Sequence, residues 1–481
     1  MTISDLYSIL PVLVLIVWAL FLLLADLWLS KHAPTWTPVL AVVGLLLALG
    51  SALFLTGKSL NGFGGYIVVD GFSSFLQPLF AATGILAIGL AFDYLKRLQI
   101  HHGEYYTLIL LSISGMMLMA SAGDLLMVFL SLELLSIPLY ILASMAAPRL
   151  ESEESGLKYF LLGTFASGFL LFGIAMVYGA TTSTNLSAIA AAVKVGSYNP
   201  TFIIVRSALV LIGLGFKVAA VPFQSWTPDV YQGAPSPVSA FMSVGVKAAG
   251  FAALLRVFSL IFTQLSATLT PVFWVIAVLT MIVGNFVAVA QTNLKRMLAY
   301  CSIAHAGYLL MAFVPFGDAV TRQNSIAAAL FYLLAYGLAS LGAWAVLIGL
   351  EGEKYSGNTL EDLAGLGKKS PLTAALMTVF MLSFTGIPLT LGFWGKFYLF
   401  RTAIEGGFIG LAIIGLLTSR VSAFYYLRVV VKMYFTDGDA TFHWNYWVSA
   451  VALFCGLAVL IFSFVPGWFF GLAVKATMAG G

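Results

Sequence analysis

The 481 residues are 61% hydrophobic and 9% charged, with 23 Lys and Arg against 19 Asp and Glu and a mean hydropathy of +1.02. A soluble domain carries about a quarter of its residues as charges to cover its surface, so a soluble enzyme and a disordered chain are excluded. A net charge of +4 leaves no basic footprint for nucleic acid, and the remaining class is a membrane protein.

A helix needs about 20 apolar residues to cross the hydrocarbon core. In chain order, such runs fall at 7–29, 36–56, 71–94, 103–121, 123–145, 156–180, 199–231, 236–263, 269–290, 294–316, 323–350, 371–404, 407–433 and 446–470. Joined by short loops, they predict an all-α polytopic membrane protein of about fourteen spans, one domain over 1–481. Asp5 stands before the first run in place of a basic flank, so that run reads as a retained span and not a cleaved signal. The runs are continuous and do not alternate, which argues against a membrane barrel.

Lys and Arg in the short loops set the orientation. With the N-terminus outside, the inner side holds twelve: Lys31, Lys96, Arg97, Arg149, Lys158, Lys295, Arg296, Lys354, Lys368, Lys369, Arg428 and Lys432. The outer side holds Lys58, Lys194, Arg322 and Lys475, with Arg401 as a fifth. Both termini are therefore expected on the non-cytoplasmic side.

The seventh and twelfth runs are long, about 33 residues each, and both are interrupted. The first break reads Val221-Pro222-Phe223 through Pro228, and the second Gly386-Ile387-Pro388 through Gly395. Proline removes a backbone donor and clashes with the preceding turn, and in lipid the freed carbonyls need protein or water. Pro222, Pro228, Gly386 and Pro388 are thus candidate structural residues of two broken helices. Breaks five spans apart suggest inverted repeats, spans 4–8 over 103–263 and spans 9–13 over 269–433. Paired broken helices mark the ion site of many transporters.

A few charges fall inside spans. Glu133 lies in LSLELLSIP, Lys217 in GLGFKVAAVP, Lys247 in SVGVKAAG, His305 in CSIAHAGY and Lys396 in GFWGKFYLF. Each mid-bilayer charge costs about 2.5–3.5 kcal/mol on insertion scales, so such residues default to an ion pathway or a buried pair. Lys96, Arg428 and Lys432 at span ends read instead as snorkelling chains. Lysine suits proton work here. Burial favours release of its proton and a nearby carboxylate favours retention, so moving the carboxylate can load and unload it. Arg420, inside span 13, stays protonated and cannot relay in that way.

The two cysteines, Cys301 and Cys455, cannot ligate an iron–sulfur cluster. The five histidines (His32, His101, His102, His305 and His443) form no HExxH, so neither a metal nor a cofactor site is expected in this chain. GLGKKS at 365–370 lacks the first glycine of a phosphate loop, with Asp362 in its place.

VPFQSWTPDVYQGAPSPVSAFMS at 221–243 resembles the signature of the antiporter-like membrane subunits of respiratory complex I and of multisubunit cation/proton antiporters, and AYCSIAHAGYLL at 299–310 resembles a second block of that family. GFWGKF at 392–397 is similar to the N-type subunit of bacterial NADH–quinone oxidoreductase. The L-type ends in a lateral helix, for which this sequence leaves no room after span 14. The resemblance covers essentially the whole sequence. It implies that Glu133 and Lys217 form the charged pair of a first half-channel, that Lys247 and His305 extend a hydrated axis, and that Lys396 serves the second half-channel. It further implies a proton-translocating subunit in the bacterial inner membrane, partnered by other membrane-arm subunits. NADH, FMN, iron–sulfur clusters and quinone would be held by partner subunits. A component of a multisubunit Na⁺/H⁺ antiporter is the alternative. Gln224 departs from the pattern, where a histidine is expected, as does Cys301, where a serine is usual; Arg420 has no counterpart in it.

Overall fold

A computed structural model describes residues 2–32, 35–98, 103–195, 200–261, 263–352, 357–440, 442–443 and 445–478. Lys354, His101 and His102 lie outside the described residues. The helices α1 (Ile3–His32) and α2 (Trp36–Leu55) lead to a hairpin of β1 (Leu60–Gly62) and β2 (Ile67–Val69), antiparallel with Leu60 opposite Val69. Then come α3 (Gly71–Arg97), α4 (Glu104–Ala120), α5 (Leu125–Ala143), α6 (Leu150–Thr181), α7 (Leu186–Val195), α8 (Pro200–Val218), α9 (Trp226–Gly233), α10 (Ser236–Phe241) and α11 (Lys247–Leu260). The second half holds α12 (Ser266–Val289), α13 (Leu294–Leu310), α14 (Ala319–Leu350), α15 (Leu366–Lys369), α16 (Pro371–Thr385), α17 (Leu391–Glu405), α18 (Ile409–Phe435), α19 (Tyr446–Phe462) and α20 (Pro466–Lys475).

Among the described residues nine helices are long and apolar enough to cross a bilayer, or ten if α19 and α20, bent by 90°, count as one. This is fewer than the fourteen runs expected. The shortfall has local causes: α4 and α13 have only 17 residues each, and the runs at 199–231 and 371–404 are each interrupted and divided between two helices, α8 with α9 and α16 with α17.

The residues 236–260 and α14 form the centre and are almost wholly buried. Around them α1, α2, α5, α6, α12, α18 and α19 turn Leu, Ile and Phe side chains outward. That arrangement is the one expected where the surrounding solvent is hydrocarbon and burial alone does not distinguish core from surface residues.

Hydrogen bonds sort the charges to two ends. At one end Arg97 donates to the Ile348 carbonyl (3.0 Å), Lys295 to that of Ala234 (2.7 Å), and Arg428 to those of Val289 and Gln291 (3.0 and 2.6 Å). There too Lys158 and Arg296 share Asp229 at 2.8 and 2.7 Å, and Lys432 meets Glu361 at 2.6 Å. At the opposite end Asp5 accepts from the Phe63 amide (2.6 Å) and the Thr477 carbonyl from the Phe72 amide (3.1 Å). The described ends of the chain thus share the face opposite that group of lysines and arginines. The same face holds a buried bidentate pair, Arg256 with Asp70 at 2.8 and 3.0 Å.

The two breaks are narrower than expected. In the first, α8 stops at Val218, Ala219 takes φ +60°, and Pro222 lies in the irregular stretch. Pro228 instead occupies the first turn of α9, where a missing amide costs nothing. The freed groups find partners: the Phe216 carbonyl accepts from Trp226 Nε1 (3.0 Å), and the Val221 amide donates to Thr280 Oγ1 (3.0 Å). In the second break Gly386 closes α16 at φ +85°, where a side chain would be strained, and only residues 387–390 separate it from α17. Gly392 and Gly395 lie inside α17 and serve packing. A Cβ on Gly392 would sit 2.0 Å from the Ser383 carbonyl oxygen. Gly392→Ala should therefore cost about 1–3 kcal/mol as an overpacked contact, read as a lower unfolding midpoint of the detergent-purified protein. An unchanged midpoint would mean that the two half-helices are not held this closely.

Candidate functional site

The mid-span charges converge on the interior. Lys217, Lys247, His305 and Lys396 are each at most 4% exposed, whereas Glu133 is half-buried. Lys217 lies in the last turn of α8, and the Lys396 ammonium donates to the Thr385 carbonyl at the last residue of α16 (3.0 Å). At the second break, then, an ammonium stands at the C-terminal end of the half-helix, where unpaired carbonyls and the helix dipole favour positive charge, whereas the Lys217 ammonium reaches across to α5 and α6.

Glu133 and Lys217 are not in direct ion-pair contact. Ser167 Oγ donates to Glu133 Oε1 at 2.5 Å. Lys217 Nζ donates to Ser136 Oγ and to Tyr159 OH, each at 2.8 Å. Ser136 lies one turn beyond Glu133 on α5, so the carboxylate and the ammonium each reach α5 through a different set of hydroxyl partners. Tyr159 is itself fixed by stacking on Trp226 of the broken segment, ring centroids 4.7 Å apart.

From Lys217 the row continues through α11. Gly250, one turn after Lys247, has no side chain, and its Cβ position is 3.5 Å from the Lys217 Cβ and Cγ. Lys247 follows directly on a π-helical turn, Met242–Val246, a wide turn often found at functional sites. Its ammonium donates to the carbonyl of Ser302 on α13 (2.5 Å) and also to the Ser302 hydroxyl.

One turn along α13, His305 is held at both ring nitrogens: Nδ1 meets Tyr332 OH at 2.5 Å and Nε2 meets Tyr426 OH at 3.1 Å. Tyr426 OH also contacts Cys301 Sγ. A cavity of about 10 Å³ beside His305, lined by Tyr332, Tyr336, Ser383 and Phe384, is about the size of one water.

Two turns before Tyr426 on α18, Ser419 Oγ accepts from Lys396 Nζ (2.7 Å) and donates to the Thr385 carbonyl (3.1 Å). The Tyr308 ring lies 4.7 Å from the same ammonium. Each residue named from the sequence is therefore held by hydroxyls that the sequence did not single out: Ser136, Tyr159, Ser167, Ser302, Tyr332, Tyr426 and Ser419. Isolated Ser and Tyr in apolar helices are common and give no spacing signal. Ser136, one turn from Glu133, and Ser302, one turn from His305, were within reach of a local argument.

Gln224 Oε1 is buried without a hydrogen-bond partner. Arg420 faces outward and belongs to no part of this row. Among the described residues no three of His, Cys, Asp and Glu gather as a metal site. Lys368 and Lys369 of the GLGKKS segment pair with Asp437 and Asp439 at 2.6 and 2.7 Å.

Residues 122–422 match the family described as NADH:quinone oxidoreductase/Mrp antiporter, TM. The chain is 41% identical over 477 residues to NADH-quinone oxidoreductase subunit N 1 of Solibacter usitatus, covering 98% of this chain and 97% of that one. It is 46% identical over 451 residues to NADH-quinone oxidoreductase subunit N of Trichlorobacter lovleyi, covering 93% and 91%. Its structure is similar to a chain in respiratory complex I from Thermus thermophilus with bound aureothin, with a TM-score of 0.83 and 37% identity, covering 96% of this chain and 99% of that one.

Proposed function

The chain belongs to the NADH:quinone oxidoreductase/Mrp antiporter transmembrane family, and from that premise we propose that it is the proton-translocating membrane subunit of an NADH–quinone oxidoreductase. The observation that carries this reading is the buried row itself: three lysines and a histidine in an apolar interior, each hydrogen-bonded to serine or tyrosine hydroxyls, which can both donate and accept. Such a row is costly in lipid and serves a proton path.

In this reading Glu133, Lys217, Lys247, His305 and Lys396 hold protons in turn. The carboxylate of Glu133 biases the charge on Lys217 without touching it, so a small approach or retreat changes which of the two keeps a proton. Each of the two broken helices supplies a lysine to the row, Lys217 from the first and Lys396 from the second. Spans 4–8 (103–263) and 9–13 (269–433) then act as two inverted repeats of a fourteen-span protein. Both termini lie on the non-cytoplasmic side of the bacterial inner membrane, opposite the basic end. NADH, FMN, iron–sulfur clusters and quinone belong to partner subunits, and coupling reaches this chain through contacts and charge.

A Na⁺/H⁺ antiporter component is the second reading, since the family description includes Mrp antiporters. Lysines and a histidine suit protons better than Na⁺, because hard cations take oxygen ligands. The test is native electrophoresis of membranes containing a tagged full-length chain. It should migrate in a large assembly that also stains for NADH dehydrogenase activity. A lone species that drives Na⁺-stimulated proton transport in liposomes would overturn the proposal in favour of the antiporter.

A further inference from the structure

Arg420 lies on the outside of the fold, away from the buried row. It is exposed, on the outer side of α18, among Ile413, Leu416, Leu417, Phe424 and Leu427, all of them outward-facing and apolar. These positions are three, four and seven residues from Arg420, so they form one continuous stripe along the helix. Among the described residues no acidic side chain is paired with it. The helices packed beside α18 include α12 and α16, which contain no Asp or Glu, and α17, whose single acid Glu405 is taken by Arg401 at 2.7 Å. At the basic end of α18 the acid is Glu361, which meets Lys432.

The depth of Arg420 is set by its neighbours. Ser419, the adjacent residue, holds the ammonium of Lys396 on the inner side of α18. Arg428 anchors the basic end of the helix to the Val289 and Gln291 carbonyls. At 1.5 Å per residue Arg420 lies about 12 Å from Arg428 and about 16 Å from Ile409 along the axis. It is thus near the middle of a hydrocarbon layer of about 30 Å, beyond the reach of an arginine side chain to either interface. An ionised guanidinium cannot shed its proton to escape this cost.

We infer that the outer face of α18 is a docking surface for a transmembrane helix of a neighbouring membrane subunit, and that this helix carries an Asp or Glu at mid-bilayer depth opposite Arg420. A carboxylate partner matches the planar guanidinium with two parallel hydrogen bonds and removes the net charge, while the flanking Leu, Ile and Phe supply apolar contact. The pair would lie one residue from the contact of Ser419 with Lys396, so a partner seated there is also placed to sense that end of the row. This inference rests on the reading that the chain works inside a membrane assembly.

The test uses the full-length chain in its native membranes. Arg420→Leu should lower the assembled fraction several-fold, because the neighbour's carboxylate loses its counter-charge. Arg420→Glu should lower it at least about tenfold by placing like charges together, and Arg420→Lys should retain most of it. In otherwise unchanged protein, a photo-crosslinking amino acid at Phe424 should capture a peptide of another membrane subunit that contains an intramembrane Asp or Glu. Capture of lipid alone, or a peptide without an acid, overturns the inference even if a variant fails to accumulate. So does full assembly of both Arg420→Leu and Arg420→Glu. If the wild-type chain migrates as a lone species, the assembly reading fails, and this inference with it. If the wild type assembles and both variants assemble equally well, only the assignment of Arg420 fails.

Discussion

Lys247→Ala should abolish most proton pumping by the assembled complex while leaving the chain in the membrane. Lys247 bridges α11 and α13, and Gly250, one turn further along α11, packs against the stem of Lys217. Removing it takes a protonatable group out of the middle of the row and leaves an apolar gap. A placed proton-transfer group contributes about 10²–10⁴ in rate; water can bridge part of such a gap, so the expected loss is at least roughly tenfold. Lys247→Arg separates charge from proton transfer. Arginine restores the cation and bonds to Ser302, yet it keeps its proton at all working pH values. It should therefore restore assembly and not pumping. Both are read in inverted membrane vesicles as NADH–quinone turnover and as quenching of a pH-sensitive dye. Full turnover and full quenching in Lys247→Ala would remove this residue from the path.

Lys396→Met should reduce pumping about as strongly and assembly very little. The two effects separate for a local reason. The ammonium of Lys396 is held by Ser419 Oγ and the Thr385 carbonyl, but these two are already bonded to each other at 3.1 Å. Methionine fills a similar volume, and the partners it leaves behind remain satisfied, so the usual penalty for a deserted buried polar group is largely avoided. Equal amounts of assembled complex with pumping down at least about tenfold is the expected outcome. Unchanged membrane energisation would count against a role in the second half-channel. Loss of assembly in proportion to pumping would make Lys396 a packing residue.

Much of the site was legible before the fold. A charge inside a run of apolar residues is visible without any contact, because its cost in lipid does not depend on which neighbour it has. Glu133, Lys217, Lys247, His305 and Lys396 were found in that way, and four of them prove to be deeply buried. The two breaks were visible because Pro222, Gly386 and Pro388 act on their own backbone. Their extents were not. Pro228, Gly392 and Gly395 looked like parts of the breaks and belong to the helices that follow.

What the sequence by itself determined is the class of solvent, the places where helices cannot continue, and which residues cannot sit in lipid without a reason. Those follow from backbone chemistry and transfer free energy, which are local. Only the tertiary structure decided that Glu133 and Lys217 bond separate hydroxyls and not each other, that Ser302 and Ser419 hold the other two lysines, and that Arg420 points outward while its neighbour Ser419 points in. The physical reason is the same in each case. These helices are apolar on every side, and lipid tails are as apolar as leucine, so the hydrophobic pattern that orients a helix in a soluble protein has no contrast to work with. The facing of each side chain is then settled by packing between helices far apart in the chain.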